Sequence, residues 1–458
     1  MGTPHPERLA PPAPLPLEAG LVFVNALVTA IAEDHGIRYV TLKGDGAALQ
    51  GLRSPRRSTD IDVWVDPARM DEFLALLSAH GWHRRPESLS WTLFITHSIT
   101  LVHDRWPCDI DVHRTFPGML GDPRELFDEM WSARVRAELH PNVSTWIPDR
   151  HSHAVVAALH ALRSGRSAHA RAQLADIMTR IDAWSREDRE EIRDAAIRLH
   201  AETPMAALLR RWDVPVEPTR SAKFEAALWD IRRTASDHTF DWLYAVATAP
   251  RQRRVALLRR GLMPTLHDMT ANHPATRESA TARARILGAR TLRGLISLPH
   301  ALLGLLRLSL LRVVAGRSHG PTGPPAQQRT SAHLAGGPDP TASLGSDDAN
   351  TRTAPQPDPS PRVPDEPLPA SRPQRAGAAP LLFSNGDGTF VYNPHAPSVP
   401  PLRLSPTADM LWTLLVERRL STDEVVDTVL ARFNADPHEV RLAVHEFLND
   451  TQPYRTSE

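Results

Sequence analysis

The chain contains a single cysteine, Cys108, and only two lysines, Lys43 and Lys223, in 458 residues. One cysteine cannot build a disulfide framework, so the sequence predicts a protein of a reducing compartment, and we expect it in the cytoplasm. Because lysine is so rare, nearly all of the 53 basic side chains are arginines. Arginine counts therefore say little about function, whereas Lys43 stands out.

An excess of charge of either sign is also missing, since 53 acidic side chains balance the 53 basic ones. No overall field draws the chain to nucleic acid, and we expect no nucleic-acid partner. The N-terminus lacks the basic and apolar regions of a signal peptide. The most apolar run, residues 295–315, is interrupted in a way that argues against a transmembrane segment and favours a packed or interfacial helix. The interruptions are Pro299, His300, Arg307 and Arg312.

The length exceeds that of one ordinary hydrophobic core, so two or three domains are expected. The patterns divide the chain into an α/β domain at 18–120, a helical extension at 121–315, a linker at 316–378 and a small domain at 379–452. The linker is rich in proline, serine and glycine. Such a segment cannot bury enough apolar surface to offset its ordering entropy, so we predict a disordered tether.

The first domain is predicted to alternate helices and strands. Helices are expected at residues 18–35, 47–52 and 67–80, and strands at 39–42, 60–65, 91–96, 99–103 and 108–113. The strands at 91–96 and 99–103 are expected to form a hairpin that turns near His97 and Ser98. Beyond Asp122 the apolar spacing predicts helices only.

The pair Asp60 and Asp62 is the most informative local pattern. Side chains alternate between the two faces of a strand, so both carboxylates point the same way while Ile61 and Val63 point into a core. Two neighbouring carboxylates repel each other unless a divalent cation lies between them. The pattern therefore predicts a metal site that also holds a polyphosphate.

Two further segments carry the same chemistry. The turn Lys43-Gly44-Asp45-Gly46 precedes the pair, and a later strand carries Asp109 and Asp111. Nucleotidyl transfer needs a tight glycine turn at the triphosphate, two carboxylates that share divalent cations, and a third carboxylate for the attacking hydroxyl. All three features occur here, in that order along the chain.

On these motifs, residues 37–115 resemble the DNA polymerase beta-type nucleotidyltransferase superfamily, and most of all its bacterial branch of largely uncharacterised members. The resemblance implies an α/β (α+β) palm domain that uses Mg²⁺ and an NTP, with ATP expected. It implies that Asp60, Asp62 and Asp111 are catalytic and bind the metal. Asp111 is favoured as the third carboxylate because His113 follows it, but Asp109 lies on the same strand face and stays open as a metal ligand.

The resemblance also implies nucleotide contacts at the turn and in the loop before Asp60. The predicted contacts are Lys43, Gly44, Gly46, Arg57 and Ser58. Arginines 53, 56 and 57 could act there as bidentate donors to a triphosphate, the alternative being a plain solvated loop. Asp45 departs from the superfamily, which usually has Gly-Ser or Gly-Gly, and it adds negative charge where a phosphate is expected.

For two histidine patterns, a structural role is favoured over a catalytic or metal-binding role. His160 and Asp176 resemble a histidine–aspartate pair in the helical region of the same family, and a structural hydrogen-bonding role is favoured over a catalytic one. His151 and His153 have the look of a metal pair, but no acidic or cysteine partner lies nearby in the sequence. No second metal site is therefore predicted.

The C-terminal segment predicts a compact winged-helix-like module. Two strands flank the turn Asn385-Gly-Asp-Gly388, which is a strong hairpin signal, and a third short strand is expected at 402–404. Three helices are predicted to follow, opening at Ser405, Ser421 and Asp436. Val425, Val429 and Phe433 are expected to face inward from the second of them.

This module resembles PqqD-like domains, which recognise leader peptides in pathways of ribosomally made, post-translationally modified peptides. The resemblance rests on Tyr392, Asn393, Leu404, Ser405, Ala408, Trp412, Leu414, Phe447 and Leu448. It implies that a precursor peptide adds as a strand beside residues 402–404 and lies against the third helix. A winged-helix DNA binder is the weaker alternative, because acidic residues offset Arg441 on that helix.

Together these patterns predict a Mg²⁺-dependent nucleotidyltransferase. It would act on a peptide or pathway intermediate in modified-peptide biosynthesis, for example of the lasso type. The tether would raise the concentration of bound peptide near the site. Two alternatives stay open, namely a catalytically inactive scaffold that binds leader peptides, and a small-molecule nucleotidyltransferase of the antibiotic-modifying or toxin–antitoxin kind.

Overall fold

The structure is a computed structural model of the chain. It describes residues 14–55, 58–164, 167–216, 223–235, 237–272, 280–316, 380–386, 388–433 and 436–455. The linker predicted at 316–378 lies outside these residues, apart from its first one. The mixed α/β class predicted for the chain is confirmed by its strands and helices.

The N-terminal part folds around a five-stranded mixed sheet in the order β1-β2-β5-β4-β3. Its elements are α1 (Leu17–Asp34), β1 (Tyr39–Leu42), α2 (Gly44–Leu49), β2 (Asp60–Val65), α3 (Met70–Ala79), β3 (His83–Arg84), α4 (Leu89–Phe94), β4 (Ser98–Val102) and β5 (Asp109–His113). The predicted helix at 18–35 and strands at 39–42 and 60–65 are confirmed. The helices predicted at 47–52 and 67–80 are also present, with ends that differ by a few residues.

Strands β2 and β5 lie side by side and run parallel, which decides where the acidic side chains meet. Asp60 is opposite Asp109, and Asp62 is opposite Asp111. The alternate residues, such as Ile61 and Val63, are buried on the other face against α1 and α3. The sheet therefore has one apolar face and one face that carries the acidic residues.

The strand predicted at 91–96 is wrong, because these residues belong to helix α4. The aromatic and β-branched residues of this run favour a strand by propensity, but two other forces override it. Ser88 caps the helix by accepting a hydrogen bond from the Trp91 backbone N–H. Phe94 also packs edge-on against Trp242, with ring centroids 5.4 Å apart. The hairpin expected at His97 and Ser98 is consequently absent, and β4 pairs with β3 and β5 instead.

The region beyond Asp122 is mostly helical but also holds a β-hairpin, so the prediction of helices only is wrong. Strands β6 and β7 form the hairpin around Asn142, whose φ is 64°. Alternate residues of β7 are buried, and the hydroxyl of Thr145 bonds to those of Thr41 and Tyr39. The elements are α5 (Pro123–Ser132), β6 (Arg134–His140), β7 (Val143–Pro148), α6 (Arg150–Leu162), α7 (Ala168–Asp182), α8 (Arg186–Arg198), α9 (Glu202–Arg211), α10 (Lys223–Thr234), α11 (Thr239–Thr248), α12 (Arg251–Leu262), α13 (Leu266–Asn272) and α14 (Ala280–Gly316).

The C-terminal part is a three-stranded sheet, in the order β10-β9-β8, packed with three helices. Its elements are β8 (Leu381–Asn385), β9 (Gly388–Tyr392), β10 (Leu402–Leu404), α15 (Pro406–Trp412), a π-helical turn (Thr413–Glu417), α16 (Thr422–Arg432) and α17 (Pro437–Asp450). The predicted hairpin, third strand and three helices are confirmed. Ser421 and Glu424 form both hydrogen bonds of the predicted capping box. Phe433 does not face inward as predicted, since it lies just past the end of α16 and is exposed.

The β8–β9 hairpin packs directly against the N-terminal part. Tyr392 is fully buried between two aromatic rings, with centroids 5.3 Å from Phe23 of α1 and 5.4 Å from Trp106 in the turn before β5. Polar contacts border this aromatic cluster, including His395 with Asp34 at 3.5 Å. The C-terminal part therefore contacts α1 directly.

This packing makes a stability prediction at Tyr392. Its hydroxyl is buried without a hydrogen-bond partner among the described residues. Tyr392→Ala should lower the free energy of unfolding by about 3 kcal/mol, because it empties the aromatic cluster. Tyr392→Phe should be neutral or stabilising by up to about 1 kcal/mol, because it removes an unsatisfied polar group. Chemical denaturation measures both changes.

A matched control is Leu442→Ala, which alters an exposed side chain of α17 and should change stability by less than about 0.5 kcal/mol. Hydrogen exchange adds a spatial readout, since Tyr392→Ala should speed exchange in α1 as well as in β9. Unchanged exchange in α1 would contradict the seating of the hairpin on that helix.

Candidate active site

Four carboxylates share one face of the sheet at the centre of the N-terminal part. Strand alternation places Asp60 with Asp62 and Asp109 with Asp111, and the parallel register sets the two pairs side by side. Asp62 is buried, with 7% of its surface exposed, whereas the other three are half-buried. Like charges this close raise one another's pKa unless cations or hydrogen-bond donors compensate.

Asp62 is compensated by two donors from the chain itself. The Lys43 ammonium lies 2.6 Å and His113 Nε2 2.9 Å from the same oxygen, Oδ1. Burial by itself would raise the pKa of Asp62, but Lys43 and His113 outweigh it and hold that pKa well below its ordinary value. Asp62 is therefore a buried, permanently charged carboxylate whose second oxygen is left for another cation.

Lys43 is aimed at Asp62 by an unusual backbone. Its φ of 58° is in the left-handed region, where residues other than glycine are uncommon. The Lys43 backbone N–H donates to His153 Nε2 at 2.9 Å, and His153 Nδ1 meets Gln50 Oε1 at 2.8 Å. Burial lowers the pKa of His153 to about 3, so the ring is neutral and can accept this bond. The ammonium expected to contact phosphate is thus placed on a carboxylate.

Different physical constraints favour glycine at the two glycine positions of the turn. Gly44 has a φ of 50° with open space around it, so its conformation alone favours glycine. Gly46 is helical and buried, and a Cβ there would lie 3.0 Å from Ile147 Cγ2. Gly46 therefore allows α2 to pack closely on β7.

The other residues predicted to contact the nucleotide lie in the loop before Asp60. Ser58 donates to Asp60 Oδ1 at 2.9 Å, so it orients a carboxylate. Arg57 and Arg56 lie outside the described residues. Arg53 lines a cavity of about 230 Å³ that opens beside Lys43.

Asp109 and Asp111 have different surroundings. Arg85, just past β3, forms an ion pair with Asp109. Asp111 instead accepts a hydrogen bond from the Thr100 hydroxyl at 2.6 Å. Burial, together with the negative charge of Asp62, raises the pKa of Asp111 above its ordinary value. Asp109 is thus neutralised at the edge of the site, while Asp111 shares its centre with Asp62.

The donor set at this centre fits a divalent cation. Ligand atoms of Asp62, Asp111 and His113 all lie within 4.8 Å of one another. His113 is nearly inaccessible, and its Nδ1 has no hydrogen-bond partner among the described residues. Carboxylate oxygens are the ligands that hard cations such as Mg²⁺ prefer. Asp60 stands on the same strand face and adds a further carboxylate close to Asp111.

Arg163 joins the site from the end of α6, and no sequence pattern marked it. Its Nη1 lies 3.2 Å from His97 Nε2, and the His97 ring lies 5.8 Å from that of His113. Burial lowers the pKa of Arg163, and the nearby charges of Asp62 and Asp111 act in the opposite direction. In a chain so rich in arginine, only its position three residues after His160 could have drawn attention to it.

His160 and Asp176 both line the cavity of about 230 Å³ beside Lys43. Burial lowers the pKa of His160 to about 2, so its ring is neutral. Its Nδ1 has no partner within the described part of the chain. Asp176 accepts a hydrogen bond from the Ser54 backbone N–H. The cavity is thus lined by both polar and apolar side chains, and it shares Lys43 with the carboxylate cluster.

The other histidine pattern is not a metal pair in the structure. His151 Nε2 lies 3.1 Å from Asp188 Oδ1, whereas His153 contacts Lys43 and Gln50.

Two segments of the chain match known protein families. Residues 23–213 match the family described as "Uncharacterised nucleotidyltransferase", and residues 392–453 match "Coenzyme PQQ synthesis protein D (PqqD)". The predicted fusion of a nucleotidyltransferase domain with a PqqD domain is therefore confirmed. No curated protein matches the chain. Among solved structures it is similar to a tRNA nucleotidyltransferase complexed with a primer tRNA and an incoming ATP analogue. That likeness has 15% identity and a TM-score of 0.18, and covers 63% of this chain and 99% of the other.

The buried ion pair of Lys43 and Asp62 makes a prediction about stability. Lys43→Met should lower the free energy of unfolding by about 3 kcal/mol at neutral pH, because it strands a buried carboxylate. The double variant Lys43→Met/Asp62→Asn should recover part of this loss. Chemical denaturation of the four proteins forms a double-mutant cycle that measures the coupling.

The pH dependence supplies a second check. Because folding depresses the pKa of Asp62, its stabilisation is complete above the unfolded carboxyl pKa of about 4 and is lost as the pH falls. The gap between wild type and Lys43→Met should therefore shrink below about pH 4. A gap that stays constant in acid, or a Lys43→Met protein as stable as wild type, would contradict this description of the pair.

Proposed function

We propose that the chain transfers a nucleotidyl group from an NTP, with Mg²⁺ as cofactor, to a peptide or an intermediate of a modified-peptide pathway. The observation that carries the proposal is the meeting of Asp62, Asp111 and His113 across two parallel strands of a nucleotidyltransferase domain. ATP is the expected nucleotide. The pathway is expected to produce a ribosomally made peptide, for example of the lasso type, in the cytoplasm.

Asp62 and Asp111 are the residues that would hold the metal, with Asp60 on the same strand face as a further carboxylate, while His113 Nε2 is bonded to Asp62 Oδ1. When bound, Mg²⁺ supplies charge neutralisation at the triphosphate and lowers the pKa of an attacking hydroxyl. Asp111 is the best candidate to accept the hydroxyl proton, because it shares the centre of the site with Asp62 whereas Asp109 is paired with Arg85. The acceptor oxygen bonds to the α-phosphorus while the bond to the bridging oxygen of the β-phosphate breaks, and pyrophosphate leaves.

Two cations of the chain border this centre and support binding of a polyphosphate. Lys43 keeps Asp62 ionised and is within reach of an anion at the same place. Arg163 contacts the imidazole of His97. Burial lowers the pKa of His97 well below its ordinary value, so this ring is neutral. The partner of the Arg163 guanidinium in this contact is therefore a neutral ring and not a carboxylate. A guanidinium of this kind suits the paired oxygens of a phosphate.

The cavity beside Lys43 supports binding of the nucleoside. It has a volume of about 230 Å³ and is lined by His160 and Asp176 together with apolar side chains such as Leu52 and Ile177. A hydrogen-bond acceptor or donor near apolar walls is what a nucleobase or ribose needs for a defined orientation.

The C-terminal domain supports a peptide as the acceptor or as the carrier of the acceptor. Its short strand β10 pairs with β9 on one side and lies at the edge of its sheet. An extended leader peptide would add there as a further strand and lie against α17, using backbone hydrogen bonds for affinity. DNA is a poorer partner for α17, because Arg441 is already paired with Asp423.

The packing of the β8–β9 hairpin against α1 supports a joint role of the two domains in the proposed reaction. Tyr392 packs against Trp106, which stands three residues before Asp109 and the strand of the site. A peptide held on β10 is thus held on the same body as the carboxylates, which raises its effective concentration without a long search.

A pyrophosphate-release assay with Mg²⁺, ATP and a leader-like peptide tests the proposal. Asp62→Asn and Asp111→Asn should each reduce turnover at least about a hundredfold, because each removes a metal ligand. Asp109→Asn should retain most of the activity, since Asp109 is occupied by Arg85. Asp128→Asn, at an exposed position paired with Arg38, is the matched control and should behave as wild type.

The same assay separates the alternatives. Removal of Mg²⁺ with a chelator should abolish turnover, and omission of the peptide should lower it. Turnover that none of the aspartate substitutions changes would favour a catalytically inactive scaffold with a contaminating activity. Turnover that depends on Asp62 but not on any peptide would favour a small-molecule nucleotidyltransferase.

A further inference from the structure

Helix α14 presents a long apolar stripe to solvent. Between 292 and 310, seven large aliphatic side chains are each between 52% and 67% exposed. On a helix of 3.6 residues per turn, their positions fall within a face about 120° wide. They are Leu292, Leu295, Ile296, Leu302, Leu303, Leu306 and Leu310. Over this distance the stripe is about 27 Å long.

The opposite face of α14 is attached to the rest of the protein. Ala301 and Leu308 are buried against α10 and α11, and a Cβ on Gly304 would lie 3.2 Å from Phe240. Ser297 donates a hydrogen bond to Asp237, and Arg307 reaches Asp230 at 3.4 Å. Within the described residues α14 is long and apolar enough to cross a membrane. One face of it is nevertheless packed and hydrogen-bonded to α10, α11 and the turn between them, which favours a helix that lies on a surface.

The charge of this region has one sign. Residues 280–316 contain six arginines and no aspartate or glutamate. Three polar positions, Arg293, His300 and Arg307, are spaced seven residues apart and therefore follow one edge of the apolar stripe. Arg285 is exposed at the N-terminal end of the same stripe. An apolar face bordered by arginines is the pattern of a helix that lies in the interface of an anionic bilayer.

We propose that the exposed face of α14 binds the surface of an anionic membrane. The aliphatic side chains would enter the boundary between headgroups and acyl chains, and the arginines would meet lipid phosphates. The segment that follows α14 is a poor alternative cover, because residues 317–379 contain only four large aliphatic side chains, Leu334, Leu344, Val363 and Leu368, and no phenylalanine, tryptophan or tyrosine. A second copy of the chain is disfavoured by the single sign of charge, since like arginines would face each other.

Vesicle flotation with the full chain tests this proposal without any reference to catalysis. Wild type should bind vesicles of mixed phosphatidylglycerol and phosphatidylcholine at least about tenfold more tightly than vesicles of phosphatidylcholine alone. Raising the salt from about 0.05 M to about 0.5 M should weaken the binding, because screening reduces the attraction of the arginines. Leu295→Glu/Leu303→Glu should lose the binding.

The matched control is Ile197→Glu/Leu442→Glu, which places the same charges at exposed aliphatic positions on α8 and α17. It should bind vesicles as wild type does, and circular dichroism of both double variants should show unchanged helix content. Vesicle binding that Leu295→Glu/Leu303→Glu leaves intact would overturn the proposal. So would resistance to alkaline extraction, which indicates a spanning helix, or a lipid-independent dimer that this double variant dissociates.

Discussion

Mutual repulsion among the carboxylates of β2 and β5 is the constraint on which the rest of this structure depends. Parallel pairing in register brings four negative charges onto one sheet face. Each carboxylate is compensated by a hydrogen bond or an ion pair from another part of the chain. The partners are Ser58 for Asp60, Lys43 and His113 for Asp62, Arg85 for Asp109, and Thr100 for Asp111. The left-handed backbone at Lys43 is held by a hydrogen bond to the neutral ring of His153, and it places the ammonium at Asp62.

The unequal partners also separate the four carboxylates by role. Arg85 forms an ion pair with Asp109, whereas Asp111, beside Asp62, accepts a hydrogen bond from the neutral Thr100 hydroxyl. This difference is what selects Asp111 over Asp109 as the third carboxylate of the proposed reaction. Asp62 and Asp111 also lie with His113 in one group of possible ligand atoms, all within 4.8 Å of one another, and Asp109 is not among them.

Much of this site was open to prediction from local patterns, and the rest depended on contacts between distant residues. Strand alternation was enough to place Asp60 and Asp62 on one face. It could not reveal that Arg85 would take Asp109, because Arg85 is one of many arginines in the chain. Helix α4 was mispredicted because its cap and the packing of Phe94 on Trp242 outweigh the strand propensity of its residues.

The same distinction holds for the second domain. Turn and capping signals predicted its strands and helices, since these signals are local. Local signals could not predict that the second domain packs against α1, because Phe23 and Tyr392 are far apart in the sequence. Under the two proposals made above, this enzyme would work on a peptide at a bilayer surface.

The central claim is that Asp62 and Asp111 hold a divalent cation and that Asp109 does not. Electron paramagnetic resonance of Mn²⁺ with a non-hydrolysable ATP analogue tests it most directly, since Mn²⁺ replaces Mg²⁺ at oxygen sites. We predict a protein-bound Mn²⁺ signal in wild type and in Asp109→Asn, and its loss in Asp62→Asn and in Asp111→Asn. Equal Mn²⁺ binding by all four proteins, or loss of binding in Asp109→Asn alone, would contradict the account.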